Sequence, residues 1–323
     1  MPGHLWGRIR AASAEALASG ALVPIATERE VLVDGGVAFQ IRVAANLRRK
    51  DAERRAALRS AFEPGARAAR PDPFGPYDGA LYVADIGSGH VGLLNKFNVM
   101  DNHLLVVTRQ FEDQRDLITP ADFAALWTCL REIDGLGFYN GGEEGGASQP
   151  HKHLQVVGLP FAESGPRIPM EPAWARAPVT DGITLSPALE FPHGLVRLDG
   201  GALEPGADEP GALEPGAEEP GALEPGDDVH GVAQGLFERY LALLAHVGLR
   251  VREGQRRQPG PYNLLVTRRW MVLVPRVAEH FEGVSLNGLA FAGSMFVRDR
   301  AELRTLQVAG PLRALGAVTG AVR

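Results

Sequence analysis

A chain of 323 residues with 45% hydrophobic and 22% charged side chains has the composition of one or two globular domains, which excludes a wholly disordered polymer. No run of about 18 apolar residues occurs, which argues against a membrane-spanning helix, and the first ten residues (with His4, Arg8 and Arg10) lack the apolar stretch of a secretory signal. The net charge of −6 is concentrated: residues 201–228 hold nine acidic and no basic side chains, so the remainder carries +3, a balance that suits an anionic small molecule and is too weak to indicate nucleic acid.

In chain order, Val31–Ala44 alternates apolar and polar residues on both sides of Asp34-Gly35-Gly36, which predicts a hairpin. Residues 46–80, rich in Arg, Pro and Gly, read as a helix followed by a loop. Three short strands follow, at Ala80–Ile86, Val91–Phe97 and His103–Thr108. A helix is then marked by Thr119 as N-cap, Pro120 in the first turn and Asp122 three residues after the cap. Phe123, Leu126, Trp127, Leu130 and Ile133 recur at helical spacing, with Gly135 as the stop. The ten-residue repeat of Gly, Ala, Pro and acids at 201–228 offers too little apolar surface to offset its ordering entropy, and reads as a disordered acidic linker or insertion. Val229–Leu249 is an amphipathic helix, Tyr262–Thr267 and Trp270–Pro275 form a hairpin across Arg268-Arg269, and 300–316 is a last helix. Strands joined by tight turns and interrupted by helices predict an α+β fold with a mostly antiparallel sheet. Neither a GxGxxG nor a Walker A sequence is present, which argues against Rossmann and P-loop folds. The single cysteine, Cys129, cannot form an internal disulfide, and a cytoplasmic protein is expected.

Residues 139–157 carry the chemical signal. The run His151-Lys152-His153-Leu154-Gln155-Val156-Val157 has strand character, and alternation puts His151, His153 and Gln155 on one face, with Lys152, Leu154 and Val156 on the other. Two imidazoles and an amide on one face are costly to bury without partners, so that face meets a polar ligand. Upstream, four glycines and Ser148-Gln149 form a loop whose donors can surround a phosphate. A histidine beside such a loop fits nucleotidyl transfer, in which a neutral imidazole attacks an α-phosphorus and a second acceptor cleaves the phosphoramidate. A zinc pair is an alternative, although the other histidines offer no third ligand at matching spacing, and a hydrogen-bonded structural pair is another.

The segment GASQPHKHLQVV resembles the active-site strand of the ATP adenylyltransferases, the diadenosine tetraphosphate phosphorylases of the histidine triad superfamily. Residues 93–114, 122–142, 261–276 and 280–299 extend the resemblance over most of the chain outside the repeat. It implies a histidine triad, uridylyltransferase-like fold. It also implies a catalytic part at 1–175, a connector at 176–200, the repeat at 201–228, and a C-terminal part at 229–323 that completes the nucleotide site. His153 then corresponds to the adenylylated nucleophile, with His151 and Gln155 as its neighbours and Gln155 at the α-phosphate. Asn140 and Gly146-Ala147-Ser148-Gln149 correspond to substrate-binding positions. Lys50, Asn95 and Lys96 fall where nucleotide or polyphosphate is contacted, and Asn287, Gly288 and Leu289 form a C-terminal binding stretch. Ser294 and Arg298 occupy two further binding positions where Met and Lys are the expected residues.

Only three of the 33 basic residues are lysine (Lys50, Lys96, Lys152), and all lie in or beside these motifs, as if a compact ammonium were retained where a planar fork would not serve. Gln155 stands where histidine triad hydrolases place His. An amide is no acid or base, so phosphate or a nucleotide is favoured over water as acceptor. The expected activity is reversible phosphorolysis of diadenosine tetraphosphate to ATP and ADP. The alternatives are a hexose-1-phosphate nucleotidyltransferase, a dinucleoside polyphosphate hydrolase and a non-catalytic nucleotide binder. The implied partners are diadenosine tetraphosphate, ATP, ADP and phosphate, without nucleic acid or membrane. No cofactor is required beyond a divalent cation such as Mg²⁺ that can accompany the nucleotide.

Overall fold

The computed structural model describes residues 4–44, 72, 74–180, 182–198 and 228–320. The expected helix and loop of 46–80 lie outside them apart from Asp72 and 74–80; so do Lys50 and the repeat up to residue 227.

The expected hairpin is formed by β1 (Thr27–Asp34) and β2 (Val37–Ala44). Its two-residue turn puts Gly35 at φ 57° and Gly36 at φ 82°, the conformation a type I′ turn demands and only glycine adopts freely. The next three strands are β3 (Tyr82–Ile86), β4 (His90–Leu94) and β5 (Leu104–Thr108). Helix α1 (His4–Ser19) precedes the hairpin and did not stand out in the sequence, because it packs only a thin stripe of Leu5, Ile9, Ser13 and Ala16.

Helix α2 (Pro120–Leu130) begins at Thr119 in a reciprocal capping box: the Thr119 side chain accepts from the Asp122 N–H, and Asp122 accepts from the Thr119 N–H. It ends earlier than the periodicity indicates. Gly135 is not its stop but the first residue of β6 (Gly135–Gly141). Strand β6, GLGFYNG, was hidden by its three glycines, which lower strand propensity. Strand β7 (His153–Gly158) starts two residues later than expected, and His151 makes an isolated bridge to Asp113. The short helix α3 (Glu171–Trp174) and strand β8 (Gly194–Arg197) follow.

Helix α4 (Val229–His246) is capped by Asp228, whose carboxylate accepts from the N–H groups of His230 and Gly231. The last acid of the repeat thus also serves as a helix cap. After β9 (Tyr262–Val266) and β10 (Trp270–Pro275), the chain makes the small hairpin β11 (His280–Phe281) and β12 (Val284–Ser285), then β13 (Ser294–Val297). The single helix expected at 300–316 is two, α5 (Arg300–Ala309) and α6 (Pro311–Ala317). Pro311 has no N–H to continue the first helix, and the N–H of Leu312 donates to Asp34 at 2.8 Å instead.

Eight strands form one sheet in the order β3-β4-β5-β7-β6-β9-β10-β8, with every neighbouring pair antiparallel. The sheet runs without a break from strands of 1–175 to strands of 229–323, through the pairing of β6 with β9. The expected α+β fold is borne out. Helices α1, α2 and α4 cover one face, burying Leu104, Val106, Leu154, Val156, Leu264 and Val266 against Phe123, Trp127, Leu236 and Tyr240. On the other face, β2 and β13 pair in parallel and pack over the C-terminal half of the sheet, where Phe39 and Met295 meet Phe138, Leu265 and Val272. The N-terminal half of that face carries a separate cluster of Val91, Leu93, Leu105 and Val107. Between these two apolar regions lies the polar face of β7.

Lys152 points to the helical face, as alternation requires. Its fully buried ammonium donates to Glu112 (3.0 Å) and the Leu117 carbonyl (2.8 Å) and lies 2.6 Å from Asp122, which also holds His90 at 2.7 Å. Burial alone would raise the Asp122 carboxyl, but His90 and the Lys152 ammonium bring it down to about 2. Three oxygens around one point charge account for lysine here. The group ties α2 to the back of β7, away from the histidine face. Lys152→Met leaves the buried Asp122 carboxylate with His90 and Thr119 but without its ammonium. It is expected to cost about 3–5 kcal/mol in denaturant unfolding; a loss below about 1 kcal/mol would show that the ammonium is dispensable.

Candidate active site

Register places the site residues in one row. In β7, His153 lies opposite Val107 and Gln155 opposite Leu105 of β5, while Gln155 also faces Phe138 of β6. Two residues along β6, Asn140 faces Asn263 of β9. His153, Gln155, Asn140 and Asn263 therefore share the face between the two apolar regions.

The His153 ring is held by its own strand. Its Nδ1–H donates to the His151 carbonyl at 2.8 Å, which leaves Nε2 with a free lone pair. Burial pushes the imidazole down to about 4, against the pull of that hydrogen bond, so the ring is neutral at pH 7. Its backbone N–H donates to Gln114 Oε1 (2.8 Å), and Gln114 Nε2 donates back to the carbonyls of Asn140 (3.0 Å) and His153 (3.2 Å). One buried amide thus locks β6 to β7 beside the nucleophile candidate.

His151 is tied on both sides. Nδ1 lies 2.8 Å from the Asp72 carboxylate, and Nε2 lies 2.8 Å from the Thr108 carbonyl and 3.1 Å from its hydroxyl. Phe74 packs against both imidazoles, with centroids 5.7 and 5.4 Å away, and Phe111 against His151 at 5.3 Å. Among the described residues no group of three His, Cys, Asp or Glu side chains is arranged to hold a metal ion.

Gln155 is oriented by a relay. Asn95 Nδ2 is 3.2 Å from His103 Nδ1, and His103 Nε2 is 3.0 Å from Gln155 Oε1. Burial pushes the His103 imidazole down to about 4, although the Gln155 hydrogen bond works in the opposite sense, so the ring is neutral. With Nδ1 accepting from Asn95, the proton sits on Nε2 and is donated to Gln155 Oε1. The amide NH₂ of Gln155 is then the end left for the ligand.

These two neutral imidazoles give the fold an acid-sensitive window. Unfolded imidazoles protonate near pH 6.5, whereas both folded ones resist until about pH 4. Between these values the unfolded chain binds more protons, so the stabilisation is complete above pH 6.5 and is lost as the pH falls towards 4. Unfolding free energy is expected to be lower at pH 5 than at pH 7, with a smaller difference in His153→Gln. A difference undiminished in that variant would contradict a neutral His153.

The glycine loop meets the C-terminal part at Asn140. Its Oδ1 accepts from Asn263 Nδ2 and from the Gly288 N–H, both at 2.9 Å, and Asn263 Nδ2 also donates to the Gly145 carbonyl at 2.7 Å. A Cβ on Gly146 would stand 2.9 Å from Asn287 Cα, so only glycine permits this approach. Ala147 is buried, with its N–H on the Gly142 carbonyl. Ser148 and Gln149 are half-buried, and their side chains find no hydrogen-bond partner among the described residues. Asn287 caps the turn that follows by accepting from the Leu289 N–H at 3.1 Å. Lys96 is exposed, next to Asn95.

Asn140, Gly146, Asn287 and Gly288 are thus brought together, as are Asn95, Gln155, His151 and His153. Ser294 and Arg298 stand apart from these contacts: Ser294 pairs with Gln40 in the small sheet, and the Arg298 guanidinium is engaged by Glu302 and the Gly283 carbonyl. Sequence reasoning missed His103, Gln114, Asp72 and Asn263. His103 is legible in retrospect, since it keeps phase with Leu105 and Val107 on the ligand face.

A neutral histidine with an uncommitted ring nitrogen, an oriented amide and a glycine loop on one antiparallel sheet define a nucleotidyltransferase-type site. The chain belongs to the Ap4A phosphorylase family: residues 1–176 match the Ap4A phosphorylase N-terminal domain and residues 188–321 the ATP adenylyltransferase C-terminal domain. It is 26% identical over 268 residues to diadenosine 5',5'''-P1,P4-tetraphosphate phosphorylase 2 of Saccharomyces cerevisiae, covering 73% of this chain and 71% of that protein. The crystal structure of yeast Ap4A phosphorylase Apa2 has the same fold, with a TM-score of 0.71 at 21% identity over 99% of this chain and 95% of that one. Its complex with Ap4A gives a TM-score of 0.70 at 22% identity, covering 99% and 98%.

Proposed function

We propose that this protein is an ATP adenylyltransferase that cleaves diadenosine tetraphosphate with phosphate, reversibly, into ATP and ADP through an adenylyl group on His153. The single observation that carries the reading is the His153 ring, neutral and with Nδ1–H committed to the His151 carbonyl, so that Nε2 is a nucleophile without prior deprotonation. Membership of the Ap4A phosphorylase family and the yeast relative named for this activity supply the substrate.

Nε2 attacks the phosphorus next to one adenosine, the bridging P–O bond breaks, and ATP departs with the bonding electrons. The imidazolium half of the intermediate keeps its Nδ1–H on the His151 carbonyl. An oxygen of inorganic phosphate then attacks the same phosphorus, the N–P bond breaks, and ADP forms as His153 regains its lone pair. The Gln155 NH₂, held outward by His103, hydrogen-bonds the α-phosphate, which is worth most where charge builds in the transition state. His151 holds the ring of its neighbour by its carbonyl. Asn140, Gly146, Ala147, Ser148 and Gln149 cradle the phosphates together with Asn287, Gly288 and Leu289; Lys50, Asn95 and Lys96 contact nucleotide or polyphosphate. Ser294 and Arg298 stand outside this cradle, and a binding role for Arg298 requires it to exchange Glu302 for a phosphate. A divalent cation such as Mg²⁺ arrives with the polyphosphate as part of the substrate, and no further cofactor is called for.

The partners are small nucleotides, and the compartment is the cytoplasm, in keeping with one buried, free thiol at Cys129. Among the described residues no helix is long and apolar enough to cross a membrane. Incubation with diadenosine tetraphosphate and phosphate tests the reading: equal ATP and ADP are expected. ATP with AMP would mean hydrolysis, and no product would mean a binder.

A further inference from the structure

Arg276 follows β10 and is completely buried, although it is among the largest side chains in the molecule. Its guanidinium spreads over four segments. Nη1 donates to Asn263 Oδ1, Nη2 to the carbonyls of Leu286 and Ala278 (both 2.8 Å), and Nε to the Val318 carbonyl at 3.2 Å. The Phe291 ring lies beneath it at 5.2 Å. Every one of these hydrogen-bond acceptors is neutral, while the Glu279 and Glu144 carboxylates act on the guanidinium through their charge. Burial pulls the guanidinium down to about 9, against the opposing pull of Glu279 and Glu144.

A buried cation whose hydrogen-bond acceptors are all neutral is costly, and a tie between carbonyls needs no charge. The location of the tied atoms explains the arrangement. By occupying Asn263 Oδ1, Arg276 turns the Asn263 NH₂ towards Asn140 Oδ1 and the Gly145 carbonyl. By holding the Leu286 carbonyl, it fixes the backbone just before Asn287 and Gly288, against which Gly146 packs. One planar fork thus sets β6, β9, the glycine loop and the 286–288 segment relative to one another. A lysine has no such fork.

The geometry points to Arg276 as a positioning residue that assembles the phosphate cradle from both parts of the chain before the nucleotide arrives. This rests on the adenylyltransferase reading above. Arg276 touches neither His153 nor Gln155, so its loss should loosen substrate binding more than it slows the attack at phosphorus.

Arg276→Lys keeps the charge and removes the fork, and Asn263→Ala breaks the same joint from the other side, with the Arg276 side chain itself retained. After thermal melting confirms folding, KM and kcat for diadenosine tetraphosphate are measured with the calorimetric affinity for AMP. Each folded variant is expected to raise KM at least tenfold and weaken AMP binding similarly, with kcat within threefold of wild type. Unchanged KM and AMP affinity would overturn the assignment, as would a fall in kcat at constant KM. Failure of both variants to fold would assign the cluster to stability and also overturn it. An inactive wild type that still binds AMP would instead refute the proposed reaction, leaving the binding comparison to decide the role of Arg276.

Discussion

Replacing His153 by alanine is expected to abolish turnover, by roughly 10⁴-fold or more, together with any trapping of AMP on the protein. The reason is that no neighbouring imidazole is free to take over. Both His151 nitrogens are engaged, by Asp72 and Thr108, and the His103 Nε2–H points at Gln155. His153 alone presents an uncommitted ring nitrogen on that face. The backbone of residue 153 stays anchored through Gln114, so the variant should remain folded, and its melting temperature provides the control. Incubation with radiolabelled diadenosine tetraphosphate followed by alkaline denaturation reads the outcome. Acid-labile AMP on the His153→Ala protein would place the nucleophile elsewhere.

The second large effect is expected from Gln155→Glu. The substitution is nearly isosteric, and one carboxylate oxygen can still accept from His103 Nε2–H, so the relay and the strand should persist. What changes is the other end, where the proposed donor to the α-phosphate becomes an anion. Removing a single donor of this kind typically costs about 10²–10³ in rate, and like-charge repulsion adds to the loss. The residual products should also shift. A carboxylate can take a proton from water, whereas the amide cannot, and it repels incoming phosphate more than water. The ratio of AMP to ADP should therefore rise as the total rate falls. Both products measured at one phosphate concentration decide the matter. A rate within threefold of wild type and an unchanged ratio would show that Gln155 neither binds the phosphate nor selects the acceptor.

The parts of this site that were legible in the sequence are those written in short-range pattern. Alternation at 151–157 placed His153 and Gln155 on one face and Lys152 on the other, and capping chemistry fixed Thr119 and Asp122. The parts that were not legible depend on tertiary pairing. Strand β6 owes its existence to neighbours on both sides, β7 and β9, which override the poor strand propensity of GLGFYNG. Gln114 reaches His153, 39 residues away, Asn263 reaches Asn140, 123 residues away, and Arg276 reaches Asn263, 13 residues away, and nothing in their immediate sequence announces those partners. The split of the last helix was legible in principle, since Gly310-Pro311 is an interruption that an uninterrupted apolar period conceals. Arg298 shows the reverse case: a cation at a motif position, just before the Asp299 cap of α5, is engaged through both its guanidinium and its backbone N–H by Glu302 in the first turn of that helix.

The central claim, an adenylyl group carried on His153 and handed to phosphate, is tested most directly by a chase. Protein is mixed with diadenosine tetraphosphate labelled in the adenosines, without phosphate, and freed of nucleotide by rapid gel filtration. Inorganic phosphate is then added, and the released label is identified. Stoichiometric label on the protein, located on His153 by peptide mapping and released by phosphate as ADP, is the predicted result. Label that never attaches, or that leaves only as AMP whatever the phosphate concentration, would contradict it.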